Sequence, residues 1–291
     1  MRTLLHSFYV LLGGISYGVL APFVKLAFEH GIPTTDSVRL QYLFGITLLL
    51  IINILFVRFK MDLRTVIKLL LSGLPMALTS IFYYNSLKYL DASIAIVLLF
   101  QYTWMGILLE FVIDRVRPTK EKIFAAVLLF AGSLFAVNIF SSNFSSIPTE
   151  GLIWGFLAAM SFAAFLYVSG KVANHVPALR KSLVMALGGT VVIGTFYPFW
   201  DFATETISLP FIGLGLLLGS FGIVLPPFLF SLGIPVVGSG LGTILSASEL
   251  PTTLMLSSIV VSEHITLIQW LGIVVILSGI VLGNYRSLEK G

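Results

Sequence analysis

Runs of about twenty predominantly apolar residues recur along the whole chain, with short connections between them. A run of that length is what an α-helix needs to cross the hydrocarbon of a bilayer. Ten are read, at 5–27, 37–57, 66–87, 92–113, 123–141, 151–170, 182–200, 210–231, 239–261 and 268–285. In hydrocarbon each backbone N–H and C=O must find a partner within the protein, so runs of this length fold as helices. No connection is long enough to form a soluble domain, so the function must reside in the bundle. Composition agrees: 57% of the residues are hydrophobic and 10% charged, against roughly 25% charged in soluble domains.

Charge sets the expected orientation. With the N-terminus inside, the cytoplasmic segments hold 14 of the 17 Lys and Arg, including Arg58, Lys60, Arg64, Lys68, Arg115, Arg117, Lys120, Lys122, Lys171, Arg180 and Lys181. Asp36, Asp91, Glu150, Asp201, Glu205 and Glu263 fall on the other face. The positive-inside rule then predicts a multi-pass protein of the inner (plasma) membrane with both termini cytoplasmic. The basic pI near 9.3 belongs to these loops and gives no reason to expect nucleic acid as a partner. The chain has no cysteine, which excludes disulfides and thiol chemistry. Its four His are scattered, without metal-ligand spacing, and no cofactor or metal is expected. The absence of a P-loop argues against ATP-driven transport by this chain alone.

A polar break near 142–150 divides five runs from five. The halves resemble each other at an offset of 144 to 149 residues: Ser86-Leu87 answers Ser231-Leu232, Asp114 answers Glu263, and Ala131-Gly132 in span 5 stands where span 10 has Ser278-Gly279. Five is odd, so the second copy must be inverted. The expected fold is therefore an all-α membrane protein of ten helices, in two inverted five-helix repeats (1–145 and 146–291) around a central cavity. Inverted repeats are a mark of alternating-access carriers, whose solutes bind near the midplane between halves.

Glu249 lies about ten residues from either end of its span, too deep for a short side chain to reach water. A carboxylate there costs roughly 2.5–3.5 kcal/mol by insertion measurements, so it points to function by default. Read as one continuous helix, the span places Gly242, Ser246, Glu249 and Thr253 on one face, a small polar stripe suited to a cavity. Pro251 leaves the carbonyl of Ala247 without its helical donor. In the first half Gln101 stands where Glu249 stands in the second, flanked by Tyr102, Thr103 and Trp104. The deep ionisable group thus has a neutral counterpart. Tyr83 ends span 3 in an aromatic run and is either an interfacial belt residue or a cavity wall. Lys25 either snorkels to the interface or supplies a cation to the outer vestibule. Arg39 either pairs with Asp36 at the surface or guards the outer mouth. Glu110 and Asp114 are expected to pair with Arg115, Arg117 or Lys68 as an inner gate or an anchor. Asn53 and Asn138 read as helix-packing residues, and Trp200 and Trp270 as belt residues.

These residues resemble the drug/metabolite transporter superfamily, specifically EamA-type carriers, over nearly the whole chain. The resemblance rests on Gly18 to Lys25, Arg39, Ser86-Leu87-Lys88-Tyr89, the stretch from Ile244 to Pro251 and the stretch from Glu263 to Gly272. Three features depart from the family pattern: Leu250 separates Glu249 from Pro251, Gln101-Tyr102 stands where a proline is common, and Asp114 stands where Glu is usual. The resemblance implies a secondary carrier of a small metabolite, amino acid-like or amphipathic, with proton coupling an option. Its partners would be the solute, membrane lipid, protons and optionally a second copy of the chain. Glu249, Gln101, Trp104, Tyr83, Ser246 and Lys25 would contact solute, with Arg39 at the outer mouth. A channel or lipid scramblase is the alternative, and an intramembrane enzyme a more distant one, since no His lies mid-span.

Overall fold

The computed structural model describes residues 2–29, 31–90, 92–136, 148–199, 209–260, 262 and 264–289. Asp91, Asn138, Trp200, Asp201, Glu205 and Glu263 lie outside the described residues. The described chain is helical: α1 (Arg2–Glu29), α2 (Thr34–Phe56), α3 (Leu63–Ser72), α4 (Leu74–Leu87), α5 (Ala92–Leu99), α6 (Tyr102–Asp114), α7 (Lys120–Ala136), α8 (Thr149–Lys171), α9 (Ala178–Phe196), α10 (Leu209–Gly219), α11 (Leu225–Val237), α12 (Ser239–Ser246), α13 (Glu249–Val260) and α14 (Leu267–Glu289).

Nine segments among the described residues are long and apolar enough to cross a membrane, and each coincides with an expected run to within a few residues. α7 occupies the run expected at 123–141, whose last residues lie outside the described ones. Large apolar side chains point outward along the helices, among them Ile54, Phe56, Val191, Ile259 and Leu267. Such a surface suits lipid, where it would be a liability in water. The chain is a multi-pass membrane protein.

Four spans are interrupted. α3 gives way to α4 at Gly73, α5 to α6 at Phe100–Gln101, α10 to α11 through a π-helical turn at Ser220–Val224, and α12 to α13 at Ala247–Ser248. Proline cannot donate to the carbonyl four residues back and crowds it. Pro75, the pair Pro226-Pro227, and Pro251 account for three of the breaks in this way. The span around Glu249 is thus two helices and not the continuous one expected, so the stripe from Gly242 to Thr253 is divided. α1, by contrast, stays helical through Pro22.

Packing interlocks the halves. α1 lies against α11 and the α12–α13 pair; α8, its counterpart, lies against α4 and the α5–α6 pair. α2 packs on α10 and the π turn, as α9 packs on α3 and α4. α2 meets α9, α6 meets α12, and α7 meets α14. Glycine permits the closest crossings. A Cβ at Gly272 would come within 2.6 Å of Ala136 Cα and 2.8 Å of Gly132 O, so α7 and α14 touch backbone to backbone. Gly73 and Gly188 do the same for the α3–α4 junction and α9, as small residues do where membrane helices cross closely. Asn53 donates to Leu49 O and across to Leu179 O, at 2.9 and 3.1 Å, tying α2 to α9. Outside the spans, the Thr65 N–H donates to the Asp62 carboxylate at 3.2 Å and caps α3; hydrogen bonding from the Thr65 side chain, and then from its N–H, holds that carboxyl below its ordinary range.

The crossing of α7 and α14 makes a prediction. Gly272→Leu should destabilise the purified protein by about 1–3 kcal/mol, the range for overpacking a filled site. Gly213→Ala, whose added Cβ meets nothing within 4 Å, should leave the melting temperature unchanged or raised. Thermal unfolding in detergent checks both.

Candidate functional site

The two breaks at the centre of the bundle are built from local hydrogen bonds. At the first, Gln101 N–H turns back to Leu98 O (3.1 Å) and Thr103 N–H to Phe100 O (3.2 Å). At the second, Ala247 N–H donates to Ile244 O and Ser248 N–H to Leu245 O, both at 3.3 Å. These tighter turns keep most of the backbone satisfied while stopping each helix. α6 then starts at Tyr102 and α13 at Glu249. By position relative to its break, Tyr102 is the counterpart of Glu249. Gln101, the counterpart expected from sequence, is the residue before the helix.

α1 holds the second break in place. Ser248 Oγ donates to Leu11 O at 2.9 Å, and Thr253 Oγ1 donates to Gly18 O at 3.1 Å. Gly18 O is the carbonyl that Pro22 deprives of its helical donor, so a span 9 hydroxyl satisfies a group exposed by a span 1 proline. Gly18 itself lies flat against the start of α13: an added Cβ would meet Glu249 O at 2.5 Å and Thr252 Cβ at 2.6 Å.

Glu249 therefore opens α13 at the centre of the bundle, where the positive end of that helix favours a carboxylate. Its Oε2 is sealed from solvent and has no hydrogen-bond partner among the described residues. It borders a crevice between α5 and α13 lined by Ile96, Leu99, Phe100, Tyr102, Glu249 and Leu250, too tight in this conformation to hold a water molecule. Tyr17, Tyr83 and Tyr102 lie near the carboxylate. Next to it is a packed aromatic cluster. Tyr102 meets Phe162 edge-on at 4.6 Å between centroids, Tyr17 meets Phe162 at 5.5 Å and Phe230 at 5.9 Å, and Phe165 bridges Phe162 and Phe230. These rings come from both halves of the chain.

The other expected site residues are placed as follows. Ser246 is fully buried; its hydroxyl donates to Thr243 O at 3.0 Å and lies 3.3 Å from the Tyr102 hydroxyl. Gln101 is buried, but its amide is engaged locally, donating to Val97 O at 2.8 Å and accepting from Trp104 Nε1 at 2.9 Å. Trp104 is 40% exposed. Neither lines the crevice beside Glu249. Lys25 is exposed near the end of α1. Arg39 is ion-paired with Asp36, as expected, but the pair is buried and not at the surface. Tyr102, absent from the expected set, lines the crevice. The signal that would have found it is the start of α6 relative to that of α13.

At the end of α6 the acidic residues find partners other than those expected. Asp114 pairs with Lys171 at 2.8 Å and accepts from the Tyr167 hydroxyl at 2.9 Å, joining α6 to α8 across the halves. Glu110 pairs with Lys122 at 2.6 Å, and its carboxylate lies over Gly238 and Gly240 at the start of α12. Gly238 has φ +89 and ψ 154, a conformation essentially reserved for glycine. α6 and α12 pack closely on this side, with Thr243 Oγ1 donating to Thr103 O at 3.1 Å. No comparable contact joins α5 to α13 among the described residues. The two broken spans thus converge at one end and part at the other. Among the described residues no three His, Asp or Glu side chains converge to hold a metal ion.

A model of the EamA-like transporter family matches residues 4–138 and again 149–285. The chain belongs to the EamA-like transporter family. The double match accounts for the like packing of the two stretches, and makes this a membrane transporter of the drug/metabolite superfamily. No curated protein matches the sequence significantly. Among solved structures, one described only as the crystal structure of a protein aligns with a TM-score of 0.78 at 13% identity, covering 98% of this chain and 100% of that one. At that identity the likeness speaks to the fold alone.

The contact between α1 and α13 can be tested. Thr253→Val keeps the shape but leaves Gly18 O without a donor, and should cost about 1–3 kcal/mol of stability. Thr252→Val is the control, because among the described residues its hydroxyl bonds only locally, four residues back to Ser248 O; it should melt within about 0.5 kcal/mol of the parent.

Proposed function

We propose that this EamA-like transporter is a secondary carrier of a small metabolite, working by alternating access between two inverted five-helix halves, 1–145 and 146–291, with ten spans in all. The observation that carries the reading is the sealed, unpartnered oxygen of Glu249 at the crossing of two interrupted spans from different halves. A carboxylate oxygen held there without a hydrogen-bond partner among the described residues is available to a solute or a proton, so proton coupling is part of the proposal. The exchange of packing partners between α1 and α8, and between α2 and α9, supports halves related by pseudo-symmetry. The clustering of Lys and Arg in the loops at the α6 end supports placing that end and both termini in the cytoplasm, within the inner (plasma) membrane.

In this reading Glu249 contacts the solute's polar group, and Tyr83, Tyr102 and Ser246 wall the site. Gln101 and Trp104 brace the first break beside it. Lys25 and the Arg39–Asp36 pair stand at the outer mouth. The close packing of α6 on α12, with Asp114 on Lys171 and Glu110 on Lys122, forms the cytoplasmic gate. Opening that gate requires parting α6 from α8 and α12. Lipid surrounds the bundle, and a second copy of the chain is a further candidate partner. The chemistry is movement of an unaltered solute, without catalysis.

Two experiments test the reading. Glu249→Gln keeps the volume and removes the charge; it should lower transport in reconstituted vesicles about 10–100-fold, the loss of one charge-assisted contact. Full activity in that variant, or transport indifferent to a collapsed proton gradient, removes the corresponding part of the proposal. The chain has no cysteine, so a single Ile96→Cys in the crevice can be labelled cleanly from either face. Asp114→Lys should raise its labelling from the cytoplasmic side by up to about fivefold, as a partly exposed pair allows. Adding Lys171→Asp should restore the parent rate.

A further inference from the structure

One buried charge has no part in the solute site. Lys181, counted among the cytoplasmic charges, is only 1% exposed in the first turn of α9. Among the described residues no carboxylate pairs with it. The end of α8 satisfies its ammonium instead. α8 stops at Lys171, and Ala173 follows with φ +50, so no backbone donor continues the helix onto Ser169 O or Gly170 O. Lys181 Nζ donates to Ser169 O at 2.7 Å and to Asn174 Oδ1 at 3.0 Å, while Asn174 Nδ2 donates to Gly170 O at 2.7 Å. The negative end of α8 favours a cation there, and the hydrogen bonds offset its burial. The two residues before Lys181 tie the same turn to α2. Leu179 O accepts from Asn53 at 3.1 Å, and Arg180 Nη2 donates to Val57 O at 2.9 Å.

Ser169 lies between the two α8 residues that hold Asp114. Tyr167, two residues before it, donates its hydroxyl to Asp114 at 2.9 Å, and Lys171, two residues after it, pairs with Asp114 at 2.8 Å. The Lys171 ammonium also stands 5.9 Å from the centroid of the Tyr167 ring. The Lys171 side chain is 44% exposed, and an exposed pair contributes little when long side chains must be ordered to form it. A helix end that is already fixed removes part of that ordering. Resting on the reading of this end as the cytoplasmic gate, we propose that Lys181 is a positioning residue of that gate. Its bond to Ser169 O sets the end of α8 and so presents Tyr167 and Lys171 to Asp114 on α6. Lys181 acts through α8 and touches no solute.

Cytoplasmic labelling of Ile96→Cys, in a chain otherwise free of cysteine, reads the gate in the full-length protein. Lys181→Met keeps an unbranched side chain and removes the donor. It should raise labelling about three- to fivefold, with loss of the Asp114–Lys171 pair as the ceiling. Ser169→Ala is the control and should leave the rate unchanged. Its hydroxyl has no hydrogen-bond partner among the described residues, and its carbonyl remains. The double variant gives the readout that a merely structural role would not move. Over Asp114→Lys, Lys181→Met should change labelling by less than about twofold, because both act on one contact, whereas effects of independent sites multiply to within about that factor. An unchanged rate in Lys181→Met, an equal rise in Ser169→Ala, or the same rise with and without Asp114→Lys overturns the proposal. If Lys181→Met does not fold, Asn174→Ala takes its place, removing one acceptor of the ammonium. It should raise labelling about two- to threefold, and an unchanged rate, or a rise that persists over Asp114→Lys, overturns the proposal. Asp114→Lys by itself separates this role from the gate. If it leaves labelling unchanged, the gate reading fails and this role with it. If it raises labelling and Lys181→Met does not, the gate stands and the role of Lys181 is removed.

Discussion

The centre of this protein depends on interrupting two membrane spans without stranding polar backbone in hydrocarbon. An unsatisfied carbonyl or amide there costs several kcal/mol, so each break must be closed by its surroundings. At Ala247–Ser248 the closure comes from tighter local turns and from α1, through Ser248 on Leu11 O and Thr253 on Gly18 O. The second bond is economical, since Gly18 O lacks a helical donor because of Pro22. One hydroxyl thereby supports a proline-bearing helix and fixes the helix that starts with Glu249. Gly18 lets the two backbones approach closely enough for that bond to form.

From that anchoring follows the layout of the site. Because α13 begins at Glu249, the carboxylate emerges beside a helix N-terminus in the middle of the bundle, and its Oε2 is left without a hydrogen-bond partner among the described residues. The aromatic cluster of Tyr17, Tyr102, Phe162, Phe165 and Phe230 packs next to it with rings from both halves. Any relative movement of the halves must repack those rings. The ion pairs at the α6 end, and the close contact of α6 with α12, make that end the tight one. Interlocked packing, with α1 held by the second half and α8 by the first, means that neither half can move without carrying a helix of the other.

Much of this was legible in the residues, and the gaps have physical causes. Span positions followed from hydrophobic length, a local property, and they agree with the helices to within a few residues. Pro75, Pro226-Pro227 and Pro251 mark breaks because proline acts on its own helix. The break at Phe100–Gln101 has no proline, so nothing in the local sequence announced it. That is why Gln101 stood in for Tyr102 as the partner of Glu249. Glu110 and Asp114 were expected on Arg115, Arg117 or Lys68, whereas the fold brings Lys122 and Lys171 to them from α7 and α8. A pair of Arg39 with Asp36, three residues away on the same helix, was one of two readings and is present, but its burial depends on neighbours that sequence distance does not reveal.

By itself the sequence determined that this chain crosses a membrane many times, that its two stretches resemble each other, and that one carboxyl sits deep in a span two residues before a proline. Each of these depends on spacing and residue type along the chain. Tertiary structure alone decided that the deep carboxyl starts a helix, that Tyr102 and not Gln101 lines the crevice beside it, and that no basic side chain among the described residues pairs with it. Those facts depend on how helices distant in sequence cross, and crossing is set by the fit of side chains and glycines in three dimensions.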